Sequence, residues 1–301
     1  MVARTAVIGD DAMDAVLGCR ALFKCEHQQP SGAFKLRGAS NAVARLREQG
    51  ITSDVATHSS GNHGAALALA ARNDGRTAHV VMPENAVPRK VEAVKTFGGR
   101  VIFCEATQAA REQGLAALVD QGLVAIPPYD HHDIICGQGT AALEFLEQAP
   151  ELDVLVTPVG GGGLVSGSAI VAASADRPIR VIAAEPAGAA DTHASIERGS
   201  RVDQWKPDTI ADGLRALVGT LTFPIIRELV HEVLTVSEKA ILEGIRLTHA
   251  HLGELIEPSS SVVIGAALEH PQHFSGLTVG MIISGGNIDP ALASRLELRD
   301  A

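Results

Sequence analysis

The chain has 301 residues, 46% of them hydrophobic, enough for one large core or two modest ones, and its length favours two domains. A net charge of -10 with no conspicuous run of like charge argues against general nucleic-acid binding, which needs a basic face. The four cysteines, Cys19, Cys25, Cys104 and Cys136, form no CxxC pair and suit free thiols in a reducing cytoplasm better than a disulfide framework or a zinc site. Near the N-terminus, Asp10 and Asp11 stand where a signal peptide would have a long apolar core. The most apolar window, 154–173, is broken by four consecutive glycines, which argues against a membrane span. Few aromatic residues and abundant Gly, Ala and Val suit helices packed tightly on a parallel sheet.

Strand and helix signals alternate along the chain. Residues 1–30 read as irregular apart from a short apolar run at 21–23. A helix is predicted over 33–49, stopped by Gly50. A short strand around Val55 leads through SSGNHG into an alanine-rich helix ending at Arg72, and a buried strand follows over 77–82. Pro88 opens a helix that closes at Gly98 and Gly99; a strand over 101–104 and a helix over 108–121 come next. After Tyr129 a second series reads as a helix over 138–148, a strand over 154–159, a helix over 164–175 and a strand over 181–184. Residues 186–220 read as long, polar and irregular, which in a compact domain often marks function. Helices over 222–231, 237–251 and 259–269 precede a strand over 279–283. Such alternation implies parallel βαβ units, and two series imply two α/β lobes.

Three stretches carry chemistry. In SGAFKLRG (31–38), Phe34 and Leu36 avoid water and draw Lys35 into an apolar setting. A buried, unpaired ammonium is costly and tends to lose its charge, which leaves a nucleophilic amine able to capture a carbonyl. An amphipathic helix start with a snorkelling lysine would also account for this stretch alone. Gly160, Gly161, Gly162 and Gly163 join a strand to a helix, where free N–H groups make an anion site suited to phosphate. Their spacing matches neither GxGxxG nor GxxxxGK, which disfavours a dinucleotide or a nucleoside triphosphate. A phosphate loop paired with a lone apolar-flanked lysine points to a small phosphorylated carbonyl compound, and pyridoxal phosphate fits both halves. In THSSGNHG (57–64), hydroxyls, an amide and backbone N–H groups gather before a helix, as a carboxylate would require; ordinary capping by Ser59 or Ser60 is the plainer reading. SGGN (284–287) ends a strand where open α/β sheets place ligands, though a plain turn serves as well.

With these residues in view, the chain resembles the fold-type II pyridoxal-phosphate enzymes of the serine racemase and serine/threonine dehydratase family. The matching motifs are FKCE (23–26), SGAFKLRG, THSSGNHG, CGQGTAALE (136–144), VGGGGL (159–164), AAEP (183–186), TIADG (209–213), IEPSS (256–260) and SGGN. They occur in family order and cover nearly the whole chain. The resemblance implies that Lys35 is the Schiff-base lysine and that Phe34 packs on the cofactor. It implies that residues 160–163 hold the phosphate, Ser284 meets the pyridine nitrogen, Asn62 meets the ring hydroxyl and Glu257 of IEPSS borders the cofactor. Ser59, Asn62 and His63 would receive the substrate carboxylate. Ser60 would be an acid/base on the cofactor face opposite Lys35, as in the racemase-like branch. Glu185, Asp191 and the Ala189 carbonyl match a divalent-cation site for Mg2+, Mn2+ or Ca2+.

Two features depart from the family pattern. The family usually has about one more helix before the segment that begins here at Arg4, and Ala117 stands where mammalian serine racemase has an arginine. Nothing after SGGN resembles the regulatory domain of biosynthetic threonine dehydratases. The expectation is therefore a two-domain α/β enzyme, tryptophan synthase β-like, each domain a mostly parallel sheet flanked by helices. Residues 1–53 and 131–301 would form the large cofactor-binding domain and 54–130 a small mobile one. The expected reaction is dehydration of a 3-hydroxy amino acid to a 2-oxo acid and ammonia, with racemisation as the close alternative. A cytoplasmic homodimer without nucleic-acid or membrane partners is expected. A β-replacement synthase would typically show a Thr-rich phosphate loop, and a silent cofactor-binding protein would have no use for an intact Lys35 and Ser60.

Overall fold

The computed structural model describes residues 1–298. In chain order its elements are β1 (Val7–Ile8), α1 (Asp11–Leu17), β2 (Arg20–Cys25), α2 (Lys35–Glu48), β3 (Val55–His58), α3 (Asn62–Asn73), β4 (Ala78–Pro83), α4 (Pro88–Thr96), β5 (Arg100–Cys104), α5 (Gln108–Asp120) and β6 (Val124–Ala125). They continue with α6 (His132–Gln148), β7 (Val154–Pro158), α7 (Gly163–Ala173), β8 (Arg180–Pro186), α8 (Asp191–Arg198), α9 (Thr222–Leu229), β9 (Glu232–Val236), α10 (Glu238–Leu247), α11 (Pro258–Glu269), β10 (Thr278–Ile283) and α12 (Pro290–Arg295).

The strands form two sheets. A six-stranded sheet runs β1-β2-β10-β7-β8-β9 and a four-stranded sheet runs β5-β4-β3-β6. Every pairing is parallel except that of β1 with β2. Both faces of the large sheet are covered, so its central strands β7 and β10 are apolar nearly throughout rather than alternating. Val154, Val156, Met281 and Ile283 pack toward α10 and α11, while Leu155 and Ile282 pack toward α6, α7 and α9. In the small sheet, Val55, Val80 and Met82 face α2, α3 and α4, and Ala56 and Val81 face α5. Parallel strands bring their C-terminal ends to one edge, where ligands bind in such sheets. The neighbouring strands β7 and β10 therefore set the glycine run 160–163 beside Ser284.

Several elements differ from the sequence expectation. The N-terminal stretch is not irregular: Asp10 caps α1 through the N–H groups of Ala12 and Met13, and Gly18 ends it at φ 68. Helix α6 begins at His132 rather than near 138, because Gly137 and Gly139 serve close helix packing instead of a break. A Cβ at Gly137 would meet the Gly38 backbone of α2, and one at Gly139 the Gly167 backbone of α7. The stretch 186–220 contains α8, and the short strands β1, β6 and β9 and the helix α12 were not anticipated.

A buried ion network ties the N-terminal segment to the large sheet. Arg37 donates to Glu26 at 2.7 and 2.8 Å and to Glu144 at 2.7 and 2.9 Å. Lys24 joins it through Glu144 and the Thr5 carbonyl, both at 2.9 Å. Removing one partner would leave an uncompensated charge indoors, which costs far more than the network contributes. All four cysteines are free. Among the described residues no helix is long and apolar enough to cross a membrane.

Candidate active site

Lys35 is the first residue of α2, and its register is set by the sheet edge. The Phe34 N–H donates to the Ser284 carbonyl at 2.9 Å, and Ala33 bridges to Gly285. The Lys35 amine donates to the Pro128 carbonyl at 2.8 Å and lies 4.9 Å from the centre of the Phe34 ring. Burial lowers its pKa to about 8, against the opposing pull of Glu257. No carboxylate forms a salt bridge with it among the described residues. A lysine so placed is an available nucleophile near neutral pH.

The glycine run opens α7 with no side-chain cap and no acidic residue in the first turn. Among the described residues, no protein acceptor meets the N–H groups of 160–163. Gly162 sits at φ 89, a conformation that L side chains rarely adopt, and a Cβ there would strike Thr222 at 2.7 Å. A Cβ at Gly160 would come within 2.9 Å of the Leu214 Cα, and one at Gly161 would enter the Tyr129 ring. Unpaired N–H groups at the start of a helix, without a competing acid, fit a phosphate.

A brace not read from the sequence underlies this loop. The Asp130 carboxylate accepts from the Thr220 N–H and hydroxyl at 2.9 and 2.7 Å and from the Leu221 and Thr222 N–H groups at 2.8 and 3.3 Å. Burial would raise its pKa, but these donors hold it below the ordinary carboxylate range. Thr222 in turn donates its hydroxyl to the Gly161 carbonyl at 2.7 Å. The only local signal was the sequence PPYD itself, since its partners lie some 90 residues away.

The second loop leads from β3 into α3, again without a side-chain cap or an acid in the first turn. Ser59 accepts from the Gly61 N–H at 3.3 Å, and among the described residues the Ser60 hydroxyl has no hydrogen-bond partner. Asn62 donates to both Glu257 oxygens, at 2.9 and 3.1 Å, and accepts from Asn287 at 2.8 Å. Burial raises the Glu257 pKa to about 7, partly offset by Asn62. His63 is buried, and its Nε2 faces the Ile126 carbonyl at 2.9 Å. A carbonyl only accepts, so Nε2 carries the proton and the unpartnered Nδ1 is a bare lone pair. Burial, then the nearby Lys35, drives the His63 pKa to about 3. The imidazole therefore cannot donate to a carboxylate, and only the His63 backbone N–H remains suited to one.

At the same C-terminal edge of the large sheet, on the strand next to β7, Glu185 near the end of β8 is fully buried and accepts from the Thr192 and His193 N–H groups at 3.3 and 2.6 Å. Asp191, also buried, accepts from the Val218 N–H at 2.8 Å. Burial, then Asp191, raises Glu185 to about 8, and burial raises Asp191 to about 6. Trp205, the single tryptophan, donates to the Gly188 carbonyl at 3.4 Å, in the turn 187–189 between the two acids. Among the described residues no cluster of three or more His, Cys, Asp or Glu side chains forms a metal site.

The site thus brings together Phe34, Lys35, Asn62, Glu257, Ser284 and residues 160–163, while Glu185, Ala189 and Asp191 form a separate group. The model of the pyridoxal-phosphate dependent enzyme family matches residues 1–285. The serine racemase of Arabidopsis thaliana is 44% identical over 292 residues, covering 95% of this chain and 88% of that protein. The beta-hydroxyaspartate dehydratase of Paracoccus denitrificans is 39% identical over 289 residues, covering 96% of this chain and 92% of its own. The structure of maize serine racemase superposes with a TM-score of 0.94 at 42% identity, covering 98% of this chain and 91% of that one. With the lysine, the glycine cradle and the sheet topology in agreement, the chain belongs to the fold-type II pyridoxal-phosphate-dependent enzymes, in the family of serine racemases and amino-acid ammonia-lyases.

Proposed function

We propose that the chain is a dehydratase that converts a 3-hydroxy amino acid, such as serine or threonine, to a 2-oxo acid and ammonia. The observation that carries the reading is the Lys35 amine, brought to about 8 by burial and held in register with Ser284 beside the uncapped glycine run. Bound there, pyridoxal phosphate supplies an aldehyde that captures amines and a ring that takes up charge from Cα. Residues 160–163 would hold the phosphate, Phe34 a ring face, Ser284 the ring nitrogen and Asn62, fixed by Glu257, the ring hydroxyl. With a substrate amine bound in its stead, Lys35 would be free as the base for the Cα proton. The substrate carboxylate would lie on the Ser59 hydroxyl and the Asn62 and His63 N–H groups at the start of α3. A hydroxyl at the ring nitrogen, unlike a carboxylate, provides no full counter-charge, which favours prompt departure of the β-hydroxyl.

The second reading is racemisation, alone or beside dehydration. It is favoured by Ser60, whose unpartnered hydroxyl is free to protonate the face that Lys35 does not serve. The relatives named serine racemase and beta-hydroxyaspartate dehydratase support the two readings about equally. A panel of L- and D-serine, threonine and 3-hydroxyaspartate, scored for 2-oxo acid, ammonia and the opposite enantiomer, tests them. Release of 2-oxo acid supports dehydration; enantiomer without ammonia would replace it by racemisation.

The same reading includes a cytoplasmic homodimer and a division into 1–53 with 131–301 and a mobile 54–130. Arg89 on α4 donates to the Ile288 and Asn287 carbonyls at 2.7 and 2.8 Å, and Lys90 pairs with Asp212, which would latch the mobile part closed. It also includes a hard cation held by Glu185, Asp191 and the Ala189 carbonyl. Two buried, mutually repelling carboxylates suit magnesium, manganese or calcium, and the role would be to order the loop 186–195 behind the cofactor phosphate.

A further inference from the structure

Three serines open α11: Ser259, Ser260 and Ser261, all buried. Serine is a poor helix former that competes for backbone hydrogen bonds, so three in a row must find partners. Ser259 accepts from the Gly213 N–H at 3.0 Å and Ser261 donates to the Ile241 carbonyl at 2.6 Å, both purely internal contacts. Ser260 alone turns to the candidate site. Its Oγ lies 3.0 Å from the Ser284 Oγ, 2.6 Å from the Gly285 carbonyl and 2.6 Å from the Gly285 N–H.

Counting hydrogens fixes what this cluster can do. A hydroxyl donates one hydrogen and accepts two. The Gly285 N–H points at Ser260, which therefore has one hydrogen for either the Gly285 carbonyl or the Ser284 oxygen. The Gly285 carbonyl also receives the Glu257 N–H at 3.1 Å, so it stays satisfied when Ser260 turns away. Ser284 is 3% exposed, so water is a poor substitute partner. With an acceptor nitrogen placed at Ser284, one arrangement keeps every group paired. The Gly285 N–H donates to Ser260, Ser260 to Ser284, and Ser284 to the nitrogen, each bond polarising the next.

We propose that Ser260 is a positioning residue that holds the Ser284 hydroxyl as a hydrogen donor toward the ring nitrogen of the cofactor. It rests on the reading that Ser284 meets that nitrogen. Ser260 makes no contact with the ring itself; it acts by supplying the hydrogen that frees the one on Ser284. An all-hydroxyl relay has no acid strong enough to protonate the nitrogen, so the ring is held as an acceptor.

The test compares Ser260→Thr with Ser260→Val, which share a shape and differ in the hydroxyl. Each is made in the wild-type chain and with Ser284→Ala. Pyridoxal phosphate is titrated into each apoprotein, with the dissociation constant and the pH dependence of the cofactor absorption band as readouts. In the wild-type chain, Val should bind about 3- to 10-fold more weakly than Thr, the span of one neutral hydrogen bond, and its band should titrate at a shifted pH. On Ser284→Ala the two should agree within about 1.5-fold, because a residue that acts through Ser284 has nothing left to orient. Equal binding by Thr and Val in the wild-type chain overturns the proposal. So does the same Thr-to-Val ratio in both backgrounds, which would make Ser260 a support for the Gly285 backbone alone. If Ser284→Ala binds with the wild-type constant and spectrum, the reading of Ser284 fails, and this proposal with it.

Discussion

Two strand-to-helix junctions in this chain open a helix without a side-chain cap, and they are built differently. The loop before α7 is buried and entirely glycine, and it is clamped from below by Thr222 and the Asp130 carboxylate. The loop before α3 keeps Ser59, Ser60 and Asn62 partly exposed, and its Asn62 amide is hydrogen-bonded to Glu257 and Asn287. Both present a helix N-terminus without an acid. Rigid, dry N–H groups suit a group that stays; adjustable hydroxyls on a joinable surface suit one that arrives and leaves each turnover. The contrast supports the proposal that the first loop holds the cofactor and the second the substrate.

Four experiments break or sharpen that contrast. Lys35 stands between the two loops, and Lys35→Ala should remove covalently attached cofactor and lower turnover by about 10⁴-fold. Cofactor found reduced onto another lysine would dissolve the arrangement. Ser60→Ala should act on one side only. It should spare 2-oxo acid formation from the L-substrate and reduce racemisation or D-substrate turnover by about 10²-fold, read by chiral chromatography. Equal losses on both enantiomers would make Ser60 a binding residue. Asp130→Ala loosens the permanent cradle, so it should weaken cofactor affinity by about 10-fold while leaving the substrate KM of the saturated enzyme nearly unchanged. A change in KM alone would reverse the assignment of the loops.

The smallest effect concerns Glu185 and Asp191. Their pKa values are raised to about 8 and about 6 by burial, so the stability they allow is full below pH 4 and is lost as pH rises through those values. Chelated protein should therefore melt several degrees lower at pH 8 than at pH 5. Magnesium should restore the difference at pH 8 and do little at pH 5. Identical melting with and without magnesium at pH 8 would leave the two acids without a cation.

The lysine and the glycine run were legible because their chemistry is local: a charged residue between apolar neighbours, and four glycines where a strand meets a helix. Asp130 was not, because its meaning depends on N–H groups at 220–222, far along the chain. Helix α6 was misread for the opposite reason. Gly137 and Gly139 look like breaks locally, yet they are demanded by the backbones of Gly38 and Gly167. His63 shows the same limit on a smaller scale. Its place in SSGNHG suggests a donor, and only the Ile126 carbonyl reveals that its donor is already spent. The capped helix α1 was within reach, since Asp10 and Gly18 bracket it in the ordinary way.

The hydrogen bond from Trp205 to the Gly188 carbonyl gives the molecule its own optical gauge. Because this indole is the single one in the chain, indole emission of the untagged protein, excited beyond the tyrosine absorption band, comes from one address, beside the turn that carries Ala189. Any event that tightens or loosens that turn changes the polarity around one fluorophore. A stopped-flow trace could then time it against the colour change of the bound cofactor, separating the two events without label or mutation.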